Sequence, residues 1–167
     1  MINLGPEDIS MQSKVEHLLN LAFGQKRFLN PSHKFRNNST PVRDLCFVAK
    51  KEKEVIGTIR FTSIIVGKEK SAVLLGPIAV SPAYQGQGIG SSLMELGISV
   101  VRNKCIALVI AIGDPSYLSR FGFQSANTYE LTFPNLYESE KLMILKISNI
   151  SIKNIYKGDI SLNLGNS

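Results

Sequence analysis

The chain has 167 residues, 44% of them hydrophobic and 19% charged, a balance that excludes a disordered segment and suits one folded domain with a real core. Its formal charge of +6 comes from dispersed residues such as Lys50, Lys51, Arg102, Lys104 and Lys153. With no dense basic arm, zinc-finger pattern or RNP-type string, nucleic-acid binding is not expected, and the excess charge suits a small polyanion. The longest pure apolar run, residues 107–112, is far short of a membrane span, and the opening M-I-N-L-G-P-E-D predicts no secretory leader. Cys46 and Cys105 are too few for a disulfide framework or a metal site; both read as buried thiols of a cytoplasmic protein.

In chain order, residues 1–4 read as a short strand, and Pro6, Glu7 and Asp8 as the first turn of a helix carrying Ile9, Met11, Val15, Leu18, Leu19, Ala22 and Phe23, capped by Gly24. Residues 26–41 are a loop with a short helix. Residues 45–49, 55–66 and 72–80 are strands joined by short polar turns, which makes an antiparallel meander. A helix follows over residues 88–104, with Leu93, Leu96, Val100 and Val101 as its apolar stripe and Met94 and Ile98 beside it. Gly97 in mid-helix costs about 1 kcal/mol against alanine, so close packing on a sheet is the expected reason. Residues 107–112 form a buried strand parallel to the third, because a helical crossover separates them. A short helix over residues 116–121 and strands over 124–133 and 141–147 complete a domain of residues 1–148. The tail, 149–167, alternates in part and adds an edge strand to the same domain or meets another subunit.

The most informative stretch is residues 73–92, V-L-L-G-P-I-A-V-S-P-A-Y-Q-G-Q-G-I-G-S-S. An apolar strand runs into glycines at Gly86, Gly88 and Gly90 and then into a helix. The first N–H groups of a helix lack partners and carry the positive end of its macrodipole, so this junction is built for an anion. The first turn holds Ile89, Gly90, Ser91 and Ser92 and no carboxylate; the first acid is Glu95. A dinucleotide fingerprint does not fit, since the third glycine comes one residue early counting from Gly86, and a phosphate loop needs a lysine where Ser91 stands.

What fits is Gln85-x-x-Gly88-x-Gly90 after an apolar strand, together with G-D-P-S-Y-L-S-R-F-G-F at residues 113–123. The two motifs in this order resemble the GNAT superfamily of N-acetyltransferases, in its YhbS-like branch. The resemblance implies an α+β (α/β) fold: a central mixed, mostly antiparallel sheet with a splayed parallel strand pair and flanking helices. It implies acetyl-CoA as acyl donor, with its pantetheine arm against Ile78, Ala79 and Val80 and its pyrophosphate on Gln85, Gly86, Gln87, Gly88, Ile89, Gly90, Ser91 and Ser92. The acetyl group passes to a primary amine of a small molecule or protein by direct attack in a ternary complex. Family members often carry a tyrosine acid four residues before the glycine of the G-F pair. Here that position is Leu118, and the tyrosine comes one residue earlier, at Tyr117. Adjacent helix positions point about 100° apart. Tyr117 is therefore a candidate acid, with packing, cofactor contact and protonation of the thiolate by water as the alternatives. His33, Glu130 and Glu138 are positional candidates for the base beside a water relay, and His17 is a weaker one. Residues 26–41 and 133–140 are expected to choose the acceptor. A non-catalytic acyl-CoA-binding module is the alternative function, and the chain is a monomer or homodimer.

Overall fold

A computed structural model describes residues 1–37, 39–68, 70–148 and 152–164. The elements are β1 (Ile2–Pro6), α1 (Gln12–Phe23), α2 (Pro31–Arg36), β2 (Cys46–Lys51), β3 (Glu54–Val66), β4 (Lys70–Val80), α3 (Ile89–Asn103), β5 (Leu108–Ile112), α4 (Pro115–Ser119), β6 (Gln124–Ser125), β7 (Leu131–Thr132), β8 (Leu142–Lys146) and β9 (Gly158–Leu162). The sheet runs in the order β1-β2-β3-β4-β5-β8-β6. Neighbours along this path are antiparallel except β4 and β5, which are parallel across the α3 crossover.

Strand periodicity sorts the apolar side chains onto two faces. Val73 and Leu75 of β4, Val109 and Ala111 of β5, and Met143 and Leu145 of β8 share one cluster with α3. Ala72 and Leu74, Leu108 and Ile110, and Leu142 and Ile144 share the opposite one with Phe133, Ile152, Tyr156 and Ile160. Helix α1 covers a third cluster, with Val15, Leu18 and Leu19 against Val48, Val55 and Ala79. The buried seam of α3 is Ile89, Leu93, Met94, Gly97, Ile98 and Val101, while Leu96 and Val100 are only half-buried. Gly97 thus lies in the middle of the seam: a Cβ there would stand 2.7 Å from Cε2 of the fully buried Phe61 ring.

Two bulges shape the sheet. One falls where β2 and β3 shift register between Ala49 and Lys50. The other is in β4. Ile59 faces Ile78 and Phe61 faces Leu75, so Arg60 alone stands opposite both Gly76 and Pro77. On its other side β4 matches β5 at only two positions, Val73 with Val109 and Leu74 with Ile110. The two parallel strands part where the bulge begins.

Several expected elements come out differently. Pro6 ends β1, and Glu7 does not open a helix. Its carboxylate is buried and forks onto Arg60, 2.6 Å from Nη2 and 2.9 Å from Nε. Asp8 instead caps the short 3-10 turn Ile9–Met11 by accepting from Ser10 N–H at 2.8 Å, and α1 begins at Gln12. The strand expected over 124–133 is two short pieces, since the chain turns back between Ala126 and Tyr129 (2.9 Å) and Leu131 then pairs with β9. Strand β9 lies antiparallel to Ile64, Ile65 and Val66 of β3, on the edge that the shorter β2 leaves open. Residues 149–151 and 165–167 of the tail lie outside the described residues. Cys46 is buried, which with nearby Glu7 pushes its thiol up to about 11, but Cys105 is exposed in the turn that ends α3. Among the described residues, no helix is long and apolar enough to cross a membrane.

The packing of Gly97 yields a stability prediction. Replacing it by valine should destabilise the domain by about 2 kcal/mol, the cost of overpacking outweighing the gain from removing a helical glycine. Thermal melting monitored by circular dichroism measures this; an unchanged or raised Tm would contradict the tight α3–β3 contact.

Candidate active site

One end of the candidate site is the turn between β4 and α3. Gly86 and Gly88 have φ of +78° and +80°, a backbone region that L side chains rarely adopt. Gly88 is the N-cap of α3 and no side chain caps the helix, while Ser92 N–H donates to the Gly88 carbonyl at 3.0 Å as the first helical bond. The N–H groups of Gly88, Ile89, Gly90 and Ser91 are therefore the helix's unmatched donors. Gln85, Gly86, Gln87, Gly88 and Ser92 are exposed, Gly90 and Ser91 half-buried, and Ile89 is anchored in the core. The Gln85 side chain turns back, its Nε2 donating to the Val80 carbonyl at 3.2 Å, which ties the turn to the strand end.

Ile78, Ala79 and Val80 pair with Ile59, Thr58 and Gly57 of β3. Ser81 N–H donates to the Ile56 carbonyl of β3 at 2.8 Å, whereas the Val80 carbonyl meets Gln85 instead. Backbone polarity alternates along a strand, so Ile78 and Val80 direct their N–H and C=O groups away from β3, into the gap toward β5. An extended ligand arm laid in that gap finds a strand edge offering the Ile78 N–H and C=O and the Val80 N–H.

A cavity of about 400 Å³ occupies the gap. Its walls are Leu75–Ile78 of β4, Ala111–Asp114 at the end of β5, Tyr117 and Leu118 of α4, and residues of α1, α2 and the segment between them. Asp114 starts α4 by accepting from Ser116 N–H at 2.9 Å, with Pro115 in the first turn. This fixes the faces of α4. Leu118 is 4% exposed and sits in the core, whereas Tyr117 is half-buried, and a Cβ on Gly90 would lie 3.4 Å from its hydroxyl. Tyr117 thus bridges the cavity and the first turn of α3. Burial raises its pKa against the opposing Arg120 charge, keeping the phenol protonated.

Helix α2 supplies the opposite wall. Asn30 caps it by accepting from Ser32 N–H at 2.9 Å, and Pro31 occupies the first turn. His33 and Arg36, three residues apart, fall on one face and both line the cavity. Burial, then the charges of Arg27 and Arg36, lower the His33 pKa, so the imidazole is neutral at pH 7. His17 lines a separate depression beside Lys14 and Lys53, and neither Glu130 nor Glu138 is among the cavity residues. Of the segments expected to choose the acceptor, 26–41 reaches the cavity and 133–140 does not line it.

Three arginines converge here that the sequence does not single out: Arg27, Arg36 and Arg60 line one depression adjoining the cavity. Arg27 bonds Glu16 at 2.8 Å and Asn20 at 3.0 Å; Arg60 bonds Glu7 and, at 3.3 Å, Glu16. The only advance signal for Arg36 is its spacing from His33 behind an Asn-Pro helix start.

Comparison with known proteins follows the same lines. A family model described as the acetyltransferase (GNAT) family matches residues 14–123. The uncharacterized N-acetyltransferase YhbS of Escherichia coli (strain K12) is 36% identical over 81 residues, 48% of this chain and 48% of that protein. The uncharacterized N-acetyltransferase YjhQ of the same strain is 35% identical over 83 residues, 48% of this chain and 46% of that protein. The chain thus spans about half the length of the curated relatives it matches. Among solved structures, that of E. coli YhbS in complex with CoA superimposes with a TM-score of 0.80 at 24% identity, covering 97% of this chain and 89% of that one. A GNAT family acetyltransferase from Brucella melitensis in complex with acetyl-CoA gives 0.74 at 21% identity, covering 98% and 97%. These two likenesses are of fold. The family match is one of sequence; it runs from within α1 to the end of the second motif and takes in the glycine turn and both splayed strands, and the chain accordingly belongs to the GNAT family of acetyltransferases.

Proposed function

We propose that the protein is an acetyl-CoA-dependent N-acetyltransferase, acting on a primary amine by direct attack in a ternary complex. The observation that carries this reading is the continuity of two features: the uncapped start of α3, and the cavity opened where β4 leaves β5. Both relatives seen in complex with CoA or acetyl-CoA share this fold. Gln85, Gly86, Gln87, Gly88, Ile89, Gly90 and Ser91 hold the pyrophosphate through backbone donors, with the exposed Ser92 beside them, and Ile78, Ala79 and Val80 offer the edge on which pantetheine lies. Acetyl-CoA supplies the activated acyl group. Free cysteines without a disulfide, Cys46 and Cys105, suit the reducing cytoplasm. We assign residues 1–148 to one acyltransferase domain, with the tail's β9 as an added strand of its sheet.

Two proton transfers accompany the reaction: the attacking amine loses a proton and the departing sulfur gains one. His33 is the base we assign to the amine, because it faces the cavity and is held neutral. Tyr117 is the acid we assign to the sulfur. Of the two α4 residues on the cavity wall, Tyr117 alone carries an acidic hydrogen, Leu118 being apolar and packed into the core, and its hydroxyl stays protonated. Donors on Ile78 and Val80 face the gap where negative charge develops on the carbonyl oxygen. Holding both reactants in one cavity supplies the rest of the rate through orientation.

Thiol release from acetyl-CoA across a panel of amines tests the assignment, with CoA titrated by calorimetry. Turnover of at least one amine is expected; CoA binding with no turnover on any amine would assign the chain to a non-catalytic acyl-CoA-binding module. Gly88→Val should weaken CoA binding about tenfold or more, since a β-branched residue is strained at φ +80° and the turn's donors lose their aim. Tyr117→Phe and His33→Gln should each lower kcat by about 10²-fold or more. Wild-type kcat/KM should fall as pH drops below an acid limb placed lower than an ordinary histidine, because the lowered His33 pKa delays protonation. That limb should vanish in His33→Gln; a limb that persists there excludes His33 as the base.

A further inference from the structure

We propose that the acceptor amine carries its own carboxylate, as a free amino acid or a similar small amino acid derivative does, and that Arg36 is the residue that receives it. This rests on the acetyltransferase reading and names the substrate class of the same cavity. Arg36 sits where the strands part: a Cβ on Gly76 would lie 3.1 Å from its Nη1 and 3.9 Å from its Cζ. The guanidinium therefore lies against the β4 bulge and lines both the cavity and the adjoining depression.

Its surroundings set it apart from its neighbours. Arg27 and Arg60 are bound to Glu16 and Glu7, and Glu16 is shared between them. Among the described residues, the Arg36 side chain has neither a hydrogen bond nor an ion pair. The acid on the cavity wall, Asp114, is engaged by Ser116, whose N–H and hydroxyl donate to it at 2.9 Å and 2.8 Å. Burial, then the charges of Arg27 and Arg60, pulls the Arg36 pKa down to about 10, so it remains a cation at neutral pH. A largely buried cation with two like neighbours is a costly arrangement that an anion relieves, and a planar guanidinium fits a carboxylate through two parallel hydrogen bonds. The phosphates of CoA belong at the start of α3. A carboxylate on Arg36 leaves the amine of the same small molecule facing His33, three residues away on the same helix face. The cavity also has to admit the end of the pantetheine arm, and its size suits a compact acceptor.

The test compares amines that differ in one group. The twenty amino acids, their amides and their decarboxylated amines are assayed by thiol release with saturating acetyl-CoA. At least one amino acid should exceed its amide and its decarboxylated partner by about 10²-fold or more in kcat/KM; a site built for a polar group can reject an analogue lacking it by about 10⁴–10⁵-fold. Arg36→Gln should abolish that preference through KM for the amino acid and leave KM for acetyl-CoA unchanged. Arg36→Lys, which keeps the charge without the fork, should retain part of it and shows that loss in the glutamine variant is not misfolding. Amides or simple amines turned over as well as acids, or a preference that survives in Arg36→Gln, would overturn the proposal. Turnover of a protein amine alone would do the same. Should no amine react at all, the acetyltransferase reading fails, and the N-acetyl amino acids are titrated against their amides on the CoA-saturated protein. Binding of an acid that disappears in Arg36→Gln sustains the carboxylate site, and equal or absent binding ends it.

Discussion

The parting of β4 from β5 is the constraint on which the rest depends. Gly76 and Pro77 stand as two residues against Arg60 alone, and the bulge bends β4 away from a parallel neighbour it has matched at only two positions. A continuous ladder would satisfy the backbone of Ile78 and Val80 and leave no room between the strands. With the bulge, those groups face a cavity, and the chain leaves the end of β4 already aimed at the turn that starts α3. Donors for an extended arm and donors for an anion are thereby placed in line.

Helices on either side turn this gap into a site. The seam of α3 brings Gly97 against Phe61 and anchors Ile89 in the core, which fixes where the helix begins. Helix α4 is started by Asp114 and brings Tyr117 and the core-packed Leu118 to the gap together. Helix α2 is started by Asn30 and Pro31 and presents His33 and Arg36 together. Positive charge gathers on this wall: Glu7 and Glu16 offset Arg60 and Arg27, and Arg36 is left to the cavity. A neutral histidine beside it follows first from burial and then from the same field, since nearby cations disfavour a further proton.

Much of this was legible in the amino-acid order. The meander of β2, β3 and β4, the helix over residues 88–104 and the buried strand at 107–112 each carry a local signal: alternation, a helical stripe, or an unbroken apolar run bounded by turns. The glycine junction was legible for the same reason. Less was legible where a residue's role depends on a distant partner. Pro6-Glu7-Asp8 has the composition of a helix start, yet Glu7 is claimed by Arg60, 53 positions away, and the helix begins later. Residues 124–133 have a strand-like composition, but Leu131 finds its partner in β9, so the stretch breaks into two pieces. Cys105 resembles Cys46 in sequence and differs in burial because one ends a helix and the other lies inside a sheet.

By itself the sequence determined the strand, glycine turn and helix start of residues 73–92, since glycines, an uncapped first turn and a preceding apolar strand act over a few neighbouring residues. The antiparallel meander of β2, β3 and β4 and the parallel crossover to β5 follow from similarly short-range patterns. Only the tertiary structure decided that Tyr117 reaches the gap alongside Leu118, which histidine shares the cavity, and which arginine there keeps an unneutralised charge. Those outcomes depend on packing and Coulomb interactions between elements far apart in the chain, and neither residue type nor spacing encodes which partners will meet.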